Sequence, residues 1–414
     1  MKIAVIGSGI SGLASSLLLS RAHDVTLFEA GEYLGGHTHT HDIELGERRH
    51  AVDTGFIVFN PRNYPLLCRL LDELGVESQP TTMSFAVRND RSGLEYNASD
   101  LGGLFCRRRN LVSPRFLGML RDIGRFYRAA PALLELSGDG PTLGDYVGEH
   151  GYGDAFRDDH LVPMASALWS SAAAQVLQFP AKYLVRFMAN HHMLELSGRP
   201  QWRVIKGGSQ SYVRALRRSW TVRERIACAV TGIHRQADAV SVTSMAGTER
   251  YDHAVLACHS NQAIALLGDA SERERDILGA IHYQPNDTVL HTDANLLPKR
   301  RRAWAAWNAL IPTTPGEQCT VSYCMNHLQA LDAAEPIVVS LNSTARIAPE
   351  KILRRMRYEH PLYTHAAVRA QRRIGEIQGA RRTWFAGAYW GWGFHEDGMR
   401  SAVAVADGLG VRWQ

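Results

Sequence analysis

The apolar positions fall into blocks that alternate between a strand period and a helix period. Lys2 to Ile6 is a short, nearly continuous apolar run, as in a strand buried on both faces. Ile10 to Ser20 carries its apolar residues at helical spacing, and Asp24 to Glu29 forms a second apolar run. A leucine-rich helix is predicted after Tyr64, with Leu66, Leu67, Leu70, Leu71 and Leu74 on one side. Short strands at 83–89 and 92–97 follow, then an amphipathic helix over 115–130 with Arg121, Arg125 and Arg128 opposite the apolar face. From 161 to 194 the chain reads as further helix. Its mostly apolar part, Leu161 to Phe179, is interrupted by Ser166, Ser170, Ser171 and Gln175, which suits a buried helix better than a membrane span. Strands are expected at 202–205, 226–230, 239–244 and 253–257, with turns at Gly232 and Gly247, and again at 288–293, 302–308, 319–326 and 336–341. A last strand ends at Phe385, and a last helix is expected from about Gly398.

The turn between the first strand and helix is GSGISG. Gly7 permits the tight turn, Gly9 leaves room for close approach of a pyrophosphate, and Gly12 lets helix and strand pack together. Amide groups of the first helical turn, at Ile10 and Ser11, have no partner within the helix and sit where its dipole favours an anion. Glu29 closes the second strand, where a carboxylate accepts hydrogen bonds from a ribose and repels a 2′-phosphate. The order of strand, glycine turn, helix, strand and acid predicts an adenine dinucleotide site and disfavours NADP.

Together GSGISGL, the FEA at Phe28 to Ala30 and the LGG ending at Gly35 and Gly36 resemble the flavin-containing amine oxidase superfamily. That group includes protoporphyrinogen oxidases and carotenoid desaturases. The resemblance implies an α/β fold with a Rossmann-like FAD-binding domain and an inserted α+β substrate domain. It also implies discontinuity, with residues 1–80, 203–270 and 376–414 holding FAD and residues 81–202 and 271–375 facing the substrate. Ala30 and the paired glycines belong to the cofactor signature, whereas His37 stands where the family usually has arginine. Val230 is expected to meet the adenine through its backbone. Gly387, Gly398 and Met399 match the C-terminal flavin signature, with the Met399 amide directed at the reduced ring. No cysteine stands in that C-terminal turn, so FAD is expected to be bound non-covalently.

The amine oxidases of the group place a cage tyrosine just before this methionine, a position occupied here by Gly398. Its loss points away from a small amine and toward an apolar lipid or isoprenoid oxidised by hydride transfer to flavin N5. An amine oxidase yielding an imine and hydrogen peroxide, and a non-catalytic flavoprotein scaffold, are the alternatives. His395 and Tyr389 are the candidate catalytic residues. Glu396 and Asp397 read as acid or base groups or as caps of the last helix. His37, His39 and His41 would share one face of a strand, but no Cys or carboxylate set completes a metal site, so none is expected.

Composition narrows the partners. The chain has 414 residues, 45% of them hydrophobic and 21% charged, with a net charge of +5. Such a chain buries a sizeable core and is neither disordered nor strongly basic, and nucleic acid is not expected as a partner. Six cysteines without a CxxC pair, and a start that goes straight into a strand, read as a reduced cytoplasmic protein. Two stretches leave a peripheral membrane contact open: the arginine-bearing helix at 115–130, and Lys299 to Arg302 before Trp304 and Trp307. A solvated surface is the plainer reading of both.

Overall fold

A computed structural model of the chain describes residues 1–195, 198–314 and 319–413. Its organising element is a parallel sheet of five short strands, in the order Arg223–Arg225, Asp24–Phe28, Lys2–Ile6, His253–Leu256 and Thr383–Phe385. Ile3 pairs with Val25 on one side and His253 on the other, and Leu256 pairs with Phe385 at the edge. From Ile3 to Ile6 the central strand is apolar because both of its faces are covered. On one face, Ile3 and Val5 pack with Leu13 and Leu17 of the first helix (Ile10–Leu19) and with Ala402 and Val405 of the last (His395–Gly408). Ala4 and Ile6 face the other side, with Val240 and Val242 of an antiparallel meander over Val230–Arg235, Val240–Ser244 and Gly247–Tyr251.

A second, mixed sheet has seven strands, in the order Ile352–Pro361, Tyr283–His291, Val338–Leu341, Thr320–Cys324, Trp307–Ile311, Phe85–Asn89 and Leu94–Asn97. Trp307–Ile311 lies parallel to Phe85–Asn89 although more than 200 residues separate them, while the other neighbours run antiparallel. The helical segment between residues 114 and 190 supplies its own aromatic core, with Phe126, Phe156, Trp169, Phe179 and Phe187 all buried.

Several elements differ from the sequence expectation. The strand expected at 226–230 stands at Arg223–Arg225, and 226–227 is a turn in which Ala227 has φ +52°. The amides of Ala227 and Cys228 bond instead to the carbonyls of Gly31 and Glu29, so this segment is tied to the end of the second strand. The helical run after 161 breaks into Val162–Trp169, Ala173–Val176 and Ala181–Asn190, the first ending at Ser170 with φ +53°. Residues 302–306 precede their strand, which begins at Trp307. A ten-residue edge strand, Ile352–Pro361, had no sequence signal because its arginines mask the period-two pattern. No helix among the described residues is long and apolar enough to cross a membrane.

Candidate active site

The glycine turn shows which of its residues serve the fold and which serve a ligand. A Cβ on Gly12 would lie 1.9 Å from the Gly7 carbonyl oxygen, and one on Gly7, where φ is +98°, would lie 2.8 Å from that of Ala257. Both positions are filled by backbone. A Cβ on Gly9 would meet nothing within 4 Å. No side chain caps the first helix, and Gly9, Ile10 and Ser11 line a cavity of about 260 Å³. An uncapped helix N-terminus beside open space is a cradle for a phosphate group.

Glu29 organises the next part of that cradle. One carboxylate oxygen accepts from the Ser8 amide at 2.9 Å and the Ser8 hydroxyl at 2.5 Å, and the other accepts from the Gly31 amide at 2.7 Å. Ser8 Oγ in turn accepts from the Gly35 amide at 3.1 Å, and Gly36 packs against Gly9, so its Cβ would lie 3.0 Å from the Gly9 Cα. The two glycine-rich segments thus form one surface. Ala30 follows Glu29, and Val230 opens the meander just after the segment bonded to Glu29.

Along the cavity the chain brings together three histidines that are remote in sequence. His37 lies 5.3 Å from His360 and 6.1 Å from His259, ring centre to ring centre, and 5.0 Å from Tyr358. Burial holds His37 and His259 down to about 4 and His360 down to about 3, so all three are neutral at pH 7. His37 Nε2 is buried without a hydrogen-bond partner, and His259 Nδ1 stands 3.6 Å from Glu359, beyond hydrogen-bond reach. His37 does not share a face with its alternating neighbours. The strand there begins only at Thr40, and His39 and His41 pack on each other at 4.0 Å. Among the described residues, no group of His, Cys, Asp and Glu could hold a metal ion.

The last helix begins at His395, three residues before the sequence expectation. Met399 is therefore beyond the first turn, its amide within the helical ladder and its side chain buried in the core below the parallel sheet. Of the helix's first turn, His395 is the residue that lines the cavity. A Cβ on Gly398 would meet Ile10 Cγ2 at 2.6 Å and Ser11 Oγ at 2.9 Å. That position faces the first helix, has no room for a tyrosine and says nothing about the substrate. Glu396 accepts from the Leu66 and Leu67 amides, both at 3.1 Å, and so anchors the start of the helix Pro65–Glu73. Asp397 accepts from the Trp392 and Phe394 amides at the start of its own helix, and burial pushes it up to about 6. Both carboxylates are committed to backbone amides.

His395 lines the cavity in a fixed pose. Its ring stacks on Phe56 at 3.5 Å, and Nε2 lies 3.0 Å from Thr38 Oγ1 and 3.2 Å from Tyr212 Oη. Burial keeps it neutral well below the usual histidine range. Tyr389 also lines the cavity, and its ring fills the space a Cβ on Gly387 would need, at 2.1 Å. Its hydroxyl is buried without a partner, with the Trp390 indole near but out of hydrogen-bonding geometry, and burial keeps it protonated. The sequence had no signal for His259 or His360, because both lie at the ends of distant elements.

A parallel sheet with a phosphate cradle at its first helix, beside a cavity lined by aromatic side chains, defines a dinucleotide-dependent redox protein. The family model for flavin containing amine oxidoreductases matches residues 10–293, and the chain belongs to that family. Its members use FAD, typically bound non-covalently, and the cradle described above fits such a cofactor. A tryptophan 2-monooxygenase from Allorhizobium ampelinum is 46% identical over 79 residues, which is 19% of this chain and 11% of that protein. Among solved structures, a putative protoporphyrinogen oxidase from Exiguobacterium sp. 255-15 has a TM-score of 0.69 at 17% identity, covering 99% of this chain and 98% of the other. A CLA-producing fatty acid isomerase from P. acnes has a TM-score of 0.64 at 17% identity, covering 99% and 97%. A cyclohexylamine oxidase from Brevibacterium oxydans IH-35A has a TM-score of 0.68 at 14% identity, covering 99% of each chain. At these identities the structural likeness is one of fold.

Proposed function

We propose that the protein is an FAD-dependent oxidoreductase that oxidises or desaturates an apolar substrate of lipid or isoprenoid type. The observation that carries this reading is the wall of the cavity away from the glycine turn. It is built from Ile57, Val58, Leu168, Trp169, Trp307 and Leu341, and among the described residues Glu359 is the only acidic one in the lining, which includes no lysine or arginine. A wall of that kind selects by shape and burial, and offers an ammonium group little beyond the histidine end. The fold is shared with a protein named as a fatty acid isomerase, which supports the substrate class, and equally with one named as a cyclohexylamine oxidase. A lipid substrate brings with it a peripheral encounter with a membrane.

FAD, when bound, supplies a two-electron acceptor. Of the chain's own residues, Gly9, Ile10 and Ser11 would form the phosphate cradle, on the turn that Gly7 and Gly12 make possible, and Glu29 and Ala30 the ribose end. Val230 would meet the adenine, and Gly35, Gly36, His37, Gly387 and the first turn of the last helix would flank the remainder. His395, neutral and held by Thr38, Tyr212 and Phe56, would position rather than deprotonate, and Tyr389 would donate a hydrogen bond into the cavity. The cofactor domain would comprise residues 1–80, 203–270 and 376–414, which is supported by the five parallel strands all falling within those segments.

Anaerobic mixing of the oxidised holoprotein with fatty acids, isoprenoids and a panel of primary amines and polyamines tests the reading, with loss of flavin absorbance as the signal. Bleaching by one of the lipids is expected. Rapid bleaching by an amine and by no lipid would replace this reading with an amine oxidase, and a flavin that no candidate reduces and that does not reoxidise after photoreduction would favour a scaffold.

A further inference from the structure

Four of the most exposed large apolar side chains in the molecule stand within one stretch of seventeen residues: Leu101 at 73% exposure, Leu111 at 53%, Val112 at 76% and Leu117 at 44%. They project from a short helix (Leu101–Leu104), a helical turn (Arg108–Val112) and the start of the amphipathic helix Pro114–Ala129. The stretch is firmly held from beneath. Asn110 is buried and donates to the carbonyls of Glu95 and Leu104, Ser113 caps the helix by accepting from Phe116, and Phe116 packs on Tyr96 and Phe105. These apolar tips are exposed on a fixed scaffold, which a frayed segment would not provide.

Charge around the tips is predominantly positive. The run Arg107 to Arg109 lies between them, and the turn Arg301–Ala303 packs against the short helix, with the Arg302 guanidinium 3.0 Å from where a Cβ on Gly102 would be. Arg301 lies over the Trp304 ring at 5.4 Å. Among the described residues, none of these five arginines has an ion-pair partner, and the nearby acids are occupied: Glu95 pairs with Arg300, and Asp100 caps the short helix. Two stretches 200 residues apart thus build a single surface of protruding apolar side chains set among unpaired cations. A second copy of the chain docked face to face there would set arginine against arginine. A lipid surface carrying anionic headgroups accommodates both features at once.

We infer that the face built from residues 101–117 and 299–304 docks the protein on an anionic membrane surface, with the leucines and Val112 reaching below the headgroups and the arginines at the level of the phosphates. This face stands on its own observations and holds whatever the oxidised substrate is. Its test is sedimentation of the holoprotein with vesicles of phosphatidylcholine alone and of phosphatidylcholine with about 30% phosphatidylglycerol. Binding is expected to the anionic vesicles and not the neutral ones, and to weaken as salt is raised. At about 1 kcal/mol for each basic side chain near such a surface, Arg108→Ala with Arg109→Ala lowers the partition coefficient about thirty-fold. Leu111→Ser with Val112→Ser lowers it independently, and both pairs keep the flavin content and circular dichroism of the parent because none of the four side chains is buried. Equal binding to neutral and anionic vesicles, no binding to either, or variants that change only the self-association of the protein would each overturn the inference.

Discussion

Substitution at Gly9 and at Gly12 separates ligand binding from folding within a single turn. At Gly9 the backbone has φ −61° and ψ 175°, an ordinary extended conformation for any residue, and its Cβ would touch no protein atom. Gly9→Ala should therefore leave the apoprotein as stable as the parent or more stable by about 0.4–1 kcal/mol, since the unfolded chain loses freedom and the folded one gains no clash. The same methyl group would occupy space at the phosphate cradle. Losing one charge-assisted hydrogen bond there, at about 1.5–3 kcal/mol, weakens FAD binding by roughly ten-fold to more than a hundred-fold, and Gly9→Val should abolish it. Gly12→Ala should behave in the opposite way. Its methyl would lie 1.9 Å from a backbone oxygen that cannot turn aside, so the apoprotein itself loses about 1–3 kcal/mol or fails to fold. Thermal unfolding of the apoproteins and titration with FAD, followed by quenching of flavin fluorescence, give the two numbers separately. A Gly9→Val protein that binds FAD within about three-fold of the parent, or a Gly9→Ala apoprotein that melts well below it, would refute the assignment of that space to the cofactor.

Histidines His37, His259 and His360 are held below their usual range in the folded chain, so they bind protons more readily when it unfolds. Their contribution is complete above about pH 6.5 and is lost as pH falls toward 4; for His37 it is roughly 3 kcal/mol. Asp53 and Asp397, both raised to about 6, act in the opposite sense over part of that range, but the depressed histidines outnumber them. Apoprotein melting temperature should fall from pH 7 to pH 5, and a flat profile would count against the neutral cluster. Arg235 is fully buried and bonded to Asp269 and Glu274, so Arg235→Leu should cost about 3–5 kcal/mol in denaturant unfolding by leaving Glu274 buried without its partner. Limited proteolysis should cut within 81–202 or 271–375 first; release of an intact, flavin-free piece ending near residue 150 would contradict a discontinuous cofactor domain.

What the sequence made legible was local. The first strand, turn, helix and second strand could be read because each of their residues answers a constraint set by its immediate neighbours: a tight turn, a close helix, a buried strand. The amphipathic helix over 115–130 was legible for the same reason, since one periodic face is enough to define it. Where the outcome depended on distant partners, the reading failed. The segment at 226–230 has the composition of a strand, yet its amides at Ala227 and Cys228 are claimed by the carbonyls of Gly31 and Glu29, some 200 residues earlier. The edge strand Ile352–Pro361 carries Arg354, Arg355 and Arg357 because one edge of it meets solvent, and this charge hid its pairing with Tyr283–His291.

The site follows the same division, and Gly398 shows why a motif position alone misleads. Counted back from Met399 it falls where relatives with an aromatic cage carry a tyrosine, and its small size reads as the loss of a substrate contact. In the folded chain the last helix starts at His395, which turns residue 398 toward Ile10 and Ser11 and requires a residue without a side chain for the two helices to touch. The group that reaches the cavity from this turn is His395, three residues earlier, and what fixes it comes from three other places in the chain: Thr38, Phe56 and Tyr212. Those partners reach His395 only in the folded chain, Tyr212 and Thr38 from segments 183 and 357 residues away from it. Binding of the cofactor's phosphates depends on the backbone of one turn and can be read from that turn, whereas the shape and polarity of the substrate chamber depend on side chains that meet only after both sheets have formed.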